Sequence, residues 1–219
     1  MTTETVTASR IRTDRGQAIL EGAFAVFARH GYAQSCVKEI ADEAGVAKPT
    51  VYSYFSDKET LFREAVQAVA RSTYNEKLTV LEPLVELGPG DDLRATVEDI
   101  GYRLVSLHCD DRSWALRRLL SSELPRMPGL LDIIKESGPQ RLGRVLAGAL
   151  AQLMVAGRLR GTDPGEAAEH LVALLTGPVD ARSLMGSRRI DDAEAREMAR
   201  AAARTFLRAM APPTEKQGN

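Results

Sequence analysis

The spacing of apolar residues constrains this chain most strongly, because it follows the helical period along nearly the whole sequence. In the first such run, Leu20, Ala23, Phe24 and Phe27 recur at three- and four-residue intervals and form one face. Alternation of β-branched residues over four or more positions, which would indicate strands, is absent from the sequence. The pattern therefore predicts an all-α protein.

Glycine and proline divide this pattern into about nine helices. Gly31 and Gly45 follow the first two helical runs and are typical left-handed helix stops, while Pro83 and residues 88–92 interrupt the chain later. Gly138 and Pro139 predict a break or kink in a long apolar segment. The predicted helices span about 13–29, 37–44, 47–55, 58–81, 93–108, 112–124, 130–156, 165–185 and 191–210.

Composition removes several classes of protein. The 219 residues carry 29 Lys and Arg against 30 Asp and Glu, so the formal net charge of −1 gives no hint of a nucleic-acid partner. Two cysteines, Cys36 and Cys109, cannot form a disulfide framework, and no Cys or His spacing suggests a metal or another cofactor. No apolar run approaches the roughly 18 residues that span a bilayer, and no signal core opens the chain. We therefore expect a cytoplasmic protein without a membrane partner.

Residues 35–55 contain two short amphipathic helices that are joined by a turn. Ala41 is small where a second helix must cross, Gly45 permits the turn, and Val51 packs the second helix back. The outward face of the second helix carries an ammonium, hydroxyls and a phenol, which suit phosphates and base edges in a major groove. Those side chains are Lys48, Thr50, Tyr52 and Ser53. An ordinary helical hairpin is the alternative that spacing alone leaves open.

The next helix has its own start signal. Ser56 and Glu59 match the capping box, in which the serine accepts from the backbone and the glutamate reaches back. The sequence therefore predicts that Ser56 is the N-cap of the long helix that follows.

Residues 16–66 resemble the N-terminal domain of the tetracycline-repressor (TetR) family of bacterial transcription regulators. The resemblance is carried by ILEGAFAVFARHGYAQSCVKEIADEAGVAKPTVYSYFSDKETLF, and most of all by GVAKPTVYSYFSDKE. It implies an all-helical protein of about nine helices, with a three-helix helix-turn-helix domain and a larger ligand-binding and dimerisation domain. The expected boundaries are 10–57 and 58–211, with helix 58–81 connecting the domains and disordered tails at 1–9 and 212–219.

The same resemblance implies roles for individual residues. Family members touch DNA with the recognition-helix residues that match Lys48, Thr50, Tyr52 and Tyr54, and a phosphate with the one matching Lys58. Cys36 stands where the family has Ser or Thr, so Ser35 is expected to take over that phosphate contact, and Ala47 lacks the usual serine cap. The full candidate set for DNA is Ser35, Cys36, Lys48, Pro49, Thr50, Tyr52, Ser53, Tyr54 and Lys58.

The C-terminal part resembles the AefR-like branch of TetR regulators over about residues 116–210, through RRLLSSELPRMPGLLDIIKESGPQRL. A partly apolar inducer is expected in an apolar cavity within residues 93–175, lined in part by Tyr102, Trp114 and Met154, with plain core packing as the alternative for Trp114.

Helices 165–185 and 191–210 are expected to form a homodimer, because they carry more small and apolar surface than we expect one subunit to bury. The positions in question are Ala168, Leu171, Val172, Leu175, Ala195, Ala199, Ala202 and Phe206.

The leading functional prediction is a ligand-released repressor that binds a palindromic operator as a dimer. The alternatives are an all-helical enzyme or carrier for an apolar small molecule, and a helical adaptor that has lost DNA binding. The sequence offers no catalytic triad order, no paired carboxylates at useful spacing and no phosphate loop for the enzyme. Lys48, Tyr52 and Lys58 argue against the adaptor.

Overall fold

The computed structural model describes residues 3–212, with side chains from 14 to 212. Eleven helices and no strand occur within these residues, which confirms the all-α prediction. They are α1 (Thr3–Gln34), α2 (Val37–Glu43), α3 (Lys48–Tyr54), α4 (Lys58–Val80), α5 (Glu82–Val85), α6 (Leu93–His108), α7 (Asp111–Glu123), α8 (Leu130–Glu136), α9 (Pro139–Val155), α10 (Pro164–Arg182) and α11 (Asp192–Ala209).

Two local interruptions explain why eleven helices replace about nine. One is the short turn α5, which carries a proline in its first turn. The other is Gly138, whose φ of 134° separates α8 from α9 at the break that the sequence predicts. Gly31 adopts the predicted left-handed φ of 72° inside α1. Thus the turn signals in the sequence are correct, and the difference in number comes from how finely they divide the helices.

Helix α1 begins at Thr3, well before the start near Thr13 that periodicity predicts. Residues 1–2 and 213–219 of the expected tails lie outside the described residues. Within the described part, no helix has both the length and the apolarity that crossing a bilayer requires.

The described chain divides into two compact units. The first contains the residues up to Ser72 together with Ala115–Ser137, so it extends beyond the predicted DNA-binding segment. Its core joins α1 to α2, α3 and the start of α4 through fully buried Phe27, Ile40 and Phe62. The rings of Phe27 and Phe62 meet edge to face with centroids 5.0 Å apart. This core holds the helix-turn-helix segment.

The second unit comprises Thr73–Trp114 and the described residues from Gly138 onward. Its core is built by α6, α9, α10 and α11, with Ile100, Leu150 and Leu171 almost completely buried. Gly101 on α6 lets α10 and α11 approach, since an added Cβ would stand 3.0 Å from the side chain of Leu175. The unit is therefore a layered helical bundle with its apolar faces turned inward.

Seven of the eight residues expected at the dimer interface are buried inside this bundle. Ala168, Leu171, Leu175, Ala195, Ala199, Ala202 and Phe206 are at most 3% or 4% exposed, and Val172 packs against the same core. The reason given for dimerisation is therefore wrong, because one subunit buries this surface itself. These buried residues are not available to a second subunit in this conformation.

The connection between α10 and α11 is a loop over residues 183–191 that side-chain hydrogen bonds hold. Leu184 and Met185 have φ of 50° and 57°, although neither is glycine, and their side chains are 63% and 71% exposed. Gly186 follows with φ of 82° and lies against the ring of Trp114. Arg188 closes the loop by donating to the carbonyl of Arg182 and to both carboxylate oxygens of Glu194.

Candidate nucleic-acid interface

The start of α2 is capped by a cysteine. The Sγ of Cys36 accepts from the backbone N–H of Glu39 at 3.5 Å, and the Glu39 carboxylate accepts from the Cys36 N–H at 3.2 Å. The capping box is thus complete although a thiol is a weak acceptor. Cys36 is exposed at this helix start, where the resemblance expects a phosphate.

Ser35 has a different environment from the one that the sequence suggests. It is only 4% exposed, and its hydroxyl donates to the carbonyl of Tyr32 at 2.9 Å. A contact from this hydroxyl to a phosphate would require that bond to break. Ser35 therefore stabilises the junction between α1 and α2 in this conformation.

The turn before α3 needs one left-handed residue. Gly45 supplies it with φ of 65°, and the N–H of Val46 then donates to the Ala41 carbonyl at 2.9 Å. Ala47 starts α3 without a side-chain cap, and Pro49 occupies the first turn, where a missing N–H has no helical partner to lose. The absent cap at Ala47 is as the sequence predicts.

Helix α3 buries one side chain fully and exposes four others. Val51 is 1% exposed, whereas Lys48, Pro49 and Ser53 are exposed and Tyr52 remains 47% exposed. The ammonium of Lys48 lies 5.9 Å from the centre of the Tyr52 ring, so the two side chains share one outward face. That face has the length and the donors that a major groove accepts.

The other α3 candidates are less available. The Ser53 hydroxyl donates to the Thr50 carbonyl at 2.7 Å, and Thr50 itself is half-buried. Tyr54 is half-buried with its ring next to Gly16 of α1, where an added Cβ would stand 3.4 Å away. Tyr54 thus packs α3 onto α1 and can offer DNA only its edge.

Lys58 lies at the start of α4 and is already engaged. Its Nζ donates to the Ser35 carbonyl at 2.5 Å and lies 4.8 Å from the centre of the Tyr32 ring. A second carbonyl, that of Ala33, lies at 3.5 Å, so one of the three ammonium protons is left for a phosphate. Lys58 therefore fixes the end of α1 as well as offering a charge to DNA.

Tyr32 is the residue of this region that sequence reasoning missed. Its ring contacts Phe62 with centroids 5.0 Å apart, and the Lys58 ammonium lies over the face of the same ring. Burial raises the pKa of the Tyr32 phenol, and the nearby carboxylates of Glu59 and Asp57 act in the same direction. No local sequence signal marks this role, since it depends on helices that meet only after folding.

The predicted cap of α4 is wrong by one residue. The Thr60 N–H donates at 2.7 Å to the carboxylate of Asp57, not to Ser56, and Glu59 pairs with Arg63 at 2.9 Å. A carboxylate is a stronger acceptor than a hydroxyl, and the Ser56 hydroxyl donates to that carboxylate. This hydrogen bonding lowers the pKa of Asp57, with the Thr60 N–H as the largest cause.

The three expected ligand-binding residues all pack against the core of the second unit, each through different contacts. Tyr102 donates its hydroxyl to Asp192 at the start of α11, and Trp114 packs on the loop before it. Met154 precedes residues 156–160, where the Arg160 N–H donates to the carbonyl of Met210 beyond the other end of α11. Among the described residues, no group of three His, Cys, Asp or Glu side chains could hold a metal.

A capped helix, a glycine turn and a second helix with a polar outward face define a helix-turn-helix DNA-binding module. Residues 19–65 match the family model for bacterial regulatory proteins of the tetR family, and residues 95–212 match the AefR-like transcriptional repressor C-terminal domain. The chain therefore belongs to the TetR family of transcriptional regulators, with an AefR-like C-terminal domain.

Individual relatives agree with this family. A fatty acid metabolism regulator protein of Bacillus subtilis is 32% identical over 158 residues, which cover 66% of this chain and 79% of that protein. A crystal structure of a TetR-family regulator from Mesorhizobium loti has a TM-score of 0.82 at 30% identity, covering 91% of this chain and 98% of that one. The flavonoid-responsive regulator FrrA has a TM-score of 0.71 at 26% identity, covering 92% and 100%.

These matches define the general function. The protein is a ligand-responsive transcriptional regulator, and regulators of this family bind operator DNA, dimerise and respond to small molecules. An all-helical enzyme or carrier is not favoured, because the matched families consist of transcription regulators.

Proposed function

We propose that this protein is a cytoplasmic repressor without enzymatic activity, and that two copies read a palindromic operator through α3. The outward face of α3 carries the proposal, since it exposes Lys48 and Tyr52 while the same helix buries only Val51. Lys48 and Thr50 are proposed to reach base edges. Tyr52 and Lys58 are proposed to contact phosphates, which position a protein without reading sequence.

The DNA upstream of the protein's own gene offers the first test. Binding is measured by fluorescence anisotropy at several salt concentrations, with an unrelated duplex for comparison. Lys58→Ala should weaken binding to both duplexes and flatten the dependence of log K on log salt by roughly one unit per lost contact per subunit. Thr50→Ala should reduce discrimination between the duplexes, with about 1–3 kcal/mol as the upper range for a good base contact.

Lys135→Ala provides a matched control for the lost charge. Lys135 is an exposed lysine on α8 whose one ion pair among the described residues is with Asp132 at 3.7 Å, so its removal should leave both duplexes bound as before. Folding of each variant is checked by circular dichroism. The operator proposal fails if folded Lys58→Ala and Tyr52→Ala proteins bind the operator with wild-type affinity at physiological salt.

We further propose a partly apolar inducer that binds in the second unit and releases the operator. The names of two relatives support this chemistry, one for fatty acid metabolism and the other as flavonoid-responsive. Because Tyr102 and Trp114 lie towards the start of α11 and Met154 towards its end, these residues belong to different parts of any such site. Trp114 is the only tryptophan, so its emission reports on its own part. A ligand that releases DNA without changing that emission would place the site away from Trp114.

Dimerisation is proposed through the outward faces of α10 and α11. On α10 this face includes Ala173, Gly177 and Ala181, which are exposed and small enough for another helix to approach closely. Gly177→Leu should weaken a dimer, measured by sedimentation equilibrium at micromolar concentration. Gly148→Leu is the control, because Gly148 is also an exposed helical glycine with open space around it, but on α9.

A further inference from the structure

Helix α11 carries a row of four arginines at intervals of four residues. Arg196 is partly neutralised, since it pairs with Asp192 at 3.3 Å and lies over the Tyr102 ring. Arg200, Arg204 and Arg208 are exposed and have no ion pair within 4.0 Å among the described residues. The helix dipole favours Arg208 in the last turn of α11, but like charges at this spacing otherwise destabilise a helix.

The neighbouring helix carries the opposite charge. Glu166 and Glu169 are exposed on α10, and within the described residues Glu166 has only a 3.9 Å contact with His170. No ion pair in the described part of the subunit joins these carboxylates to the arginines of α11. The two helices therefore present an acidic and a basic surface that no ion pair joins among the described residues.

Both surfaces lie at the same end of the pair of helices. An added Cβ on Gly101 would be 3.0 Å from the side chain of Leu175 and 3.5 Å from that of Ala199, so these two residues lie at one level. Leu175 lies about as many residues before the loop 183–191 as Ala199 lies after it. Because these two residues are also side by side, α10 and α11 run antiparallel. Glu166 and Glu169 are consequently level with the C-terminal half of α11.

A surface of this kind suits a second copy of the same chain. A twofold interface uses one patch on both subunits, so the patch must contain its own complement. Nucleic acid fits less well, because the carboxylates of Glu166 and Glu169 beside the arginines would repel phosphates. Gly177 adds an independent observation, since a methyl group there would meet nothing in its own subunit, although glycine weakens a helix.

We propose that the arginine row of α11, formed by Arg200, Arg204 and Arg208, pairs with Glu166 and Glu169 on α10 of a second copy. This inference rests on the proposed dimer and goes further, because it assigns the choice of partner to charge. A chain of the same fold with basic residues at the positions of Glu166 and Glu169 would bring like charges to the arginine row and would bind this chain less tightly.

Charge reversal tests the pairing. One variant carries Glu166→Lys and Glu169→Lys, and the other carries Arg200→Glu and Arg204→Glu. Each alone brings like charges together, so its homodimer dissociation constant should rise about 100-fold. An equimolar mixture restores opposite charges and should form a heterodimer within about tenfold of the wild-type affinity, measured by sedimentation equilibrium.

Arg141→Glu with Arg144→Glu is the matched control, because both arginines are exposed on α9 without an ion pair among the described residues. It should dimerise as the wild type does. If a reversed variant does not fold, Arg204→Gln and Glu169→Gln should weaken the dimer in the same direction by a smaller factor.

The outcomes separate the two proposals. A wild-type protein that sediments as a single species near the 23.9 kDa of one chain overturns the dimer and the pairing together. A wild-type dimer whose reversed variants dimerise equally well, or whose mixture gains nothing, overturns the pairing alone. Recovery in the mixture supports both.

Discussion

Two connections between consecutive helices are built differently: the turn between α2 and α3, and the loop between α10 and α11. The first is a short turn in which Gly45 alone has a positive φ, and a Cβ added there would meet nothing. The second is a longer loop with three successive positive φ values, two of them at Leu184 and Met185. Side chains hold it, through Ser183, Arg188 and the Trp114 ring.

This difference shows two ways to fix a helix pair. In the turn between α2 and α3, one glycine supplies the backbone freedom, and a Cβ at that position would meet no neighbouring atom. In the loop between α10 and α11, left-handed leucine and methionine cost free energy that the side-chain contacts must offset. The first connection should therefore tolerate substitution better than the second.

The largest effect is expected for Gly186→Ala. The new Cβ would stand 2.7 Å from the Trp114 ring at a φ of 82°, so steric overlap adds to backbone strain. We expect a loss of about 3 kcal/mol in the free energy of unfolding, measured by thermal denaturation with circular dichroism and Trp114 fluorescence. Gly161→Ala, in an open loop, should change stability by less than about 0.5 kcal/mol. Unchanged melting of Gly186→Ala would contradict the contact with Trp114.

Gly45→Ala is expected to have an intermediate effect. Strain at a φ of 65° remains, but the space around the position is open. The loss should be about 1–2 kcal/mol, and Gly45→Asn should lose less, because asparagine enters this region more readily. Chemical denaturation compares the variants. A loss as large as that of Gly186→Ala would remove the distinction between the two connections.

Ala47→Ser should sharpen the comparison by strengthening the first connection. A serine at this N-cap would offer a second acceptor to the Thr50 N–H, which now donates to the Ala47 carbonyl at 2.8 Å and has no side-chain partner. We expect a gain of about 1 kcal/mol in thermal denaturation. Ala209→Ser, at the last residue of α11, offers no such N–H and should give no gain. An equal change in thermal stability for Ala47→Ser and Ala209→Ser would show that the missing cap at Ala47 does not reduce the stability of the protein.

Arg188→Ala should have the smallest effect and the clearest pH dependence. Hydrogen bonds from Arg188 lower the pKa of Glu194, so the folded protein binds fewer protons there than the unfolded chain. The stability from this pair is complete above the ordinary glutamate pKa of about 4.3, and it is lost as the pH falls further. Melting temperatures of variant and wild type should therefore differ at pH 7 and converge near pH 3.

Arg189→Ala is the control for this pH series. Arg189 pairs with Asp111, and the two side chains are 83% and 79% exposed, so solvent screens their charges. The variant should therefore melt close to the wild type at both pH values. A gap for Arg188→Ala that persists unchanged at pH 3 would argue for lost packing in place of lost charge.

The short turn could be predicted from the sequence because its determinants are local. Gly45, Pro49 and the uncapped Ala47 each act within one turn of helix, and all three are as expected. The cap of α4 was misassigned because Ser56 and Asp57 are adjacent acceptors, and spacing does not rank a hydroxyl against a carboxylate. The all-α class followed in the same way from the helical period of the apolar residues.

The packing of the second unit could be predicted less completely, because its contacts join residues that are distant in sequence. Periodicity shows that one face of α11 is buried, but not whether the partner is its own subunit, and this misled the assignment of Ala199 and Phe206. The Tyr102 hydroxyl donates to Asp192, 90 residues away, and no local pattern marks that partner. Local patterns carry no information on such pairings.

The exposed side chain of Met185 has a chemical consequence for the purified protein. Among the methionines whose side chains the structure describes, Met127, Met198 and Met210 are at most 9% exposed and Met154 is half-buried, while Met185 is 71% exposed. Peroxide should therefore convert the Met185 thioether to the sulfoxide first, and peptide mass spectrometry would locate the added oxygen. Ageing of a stored sample would begin at this loop, and methionine sulfoxide reductase would reverse it.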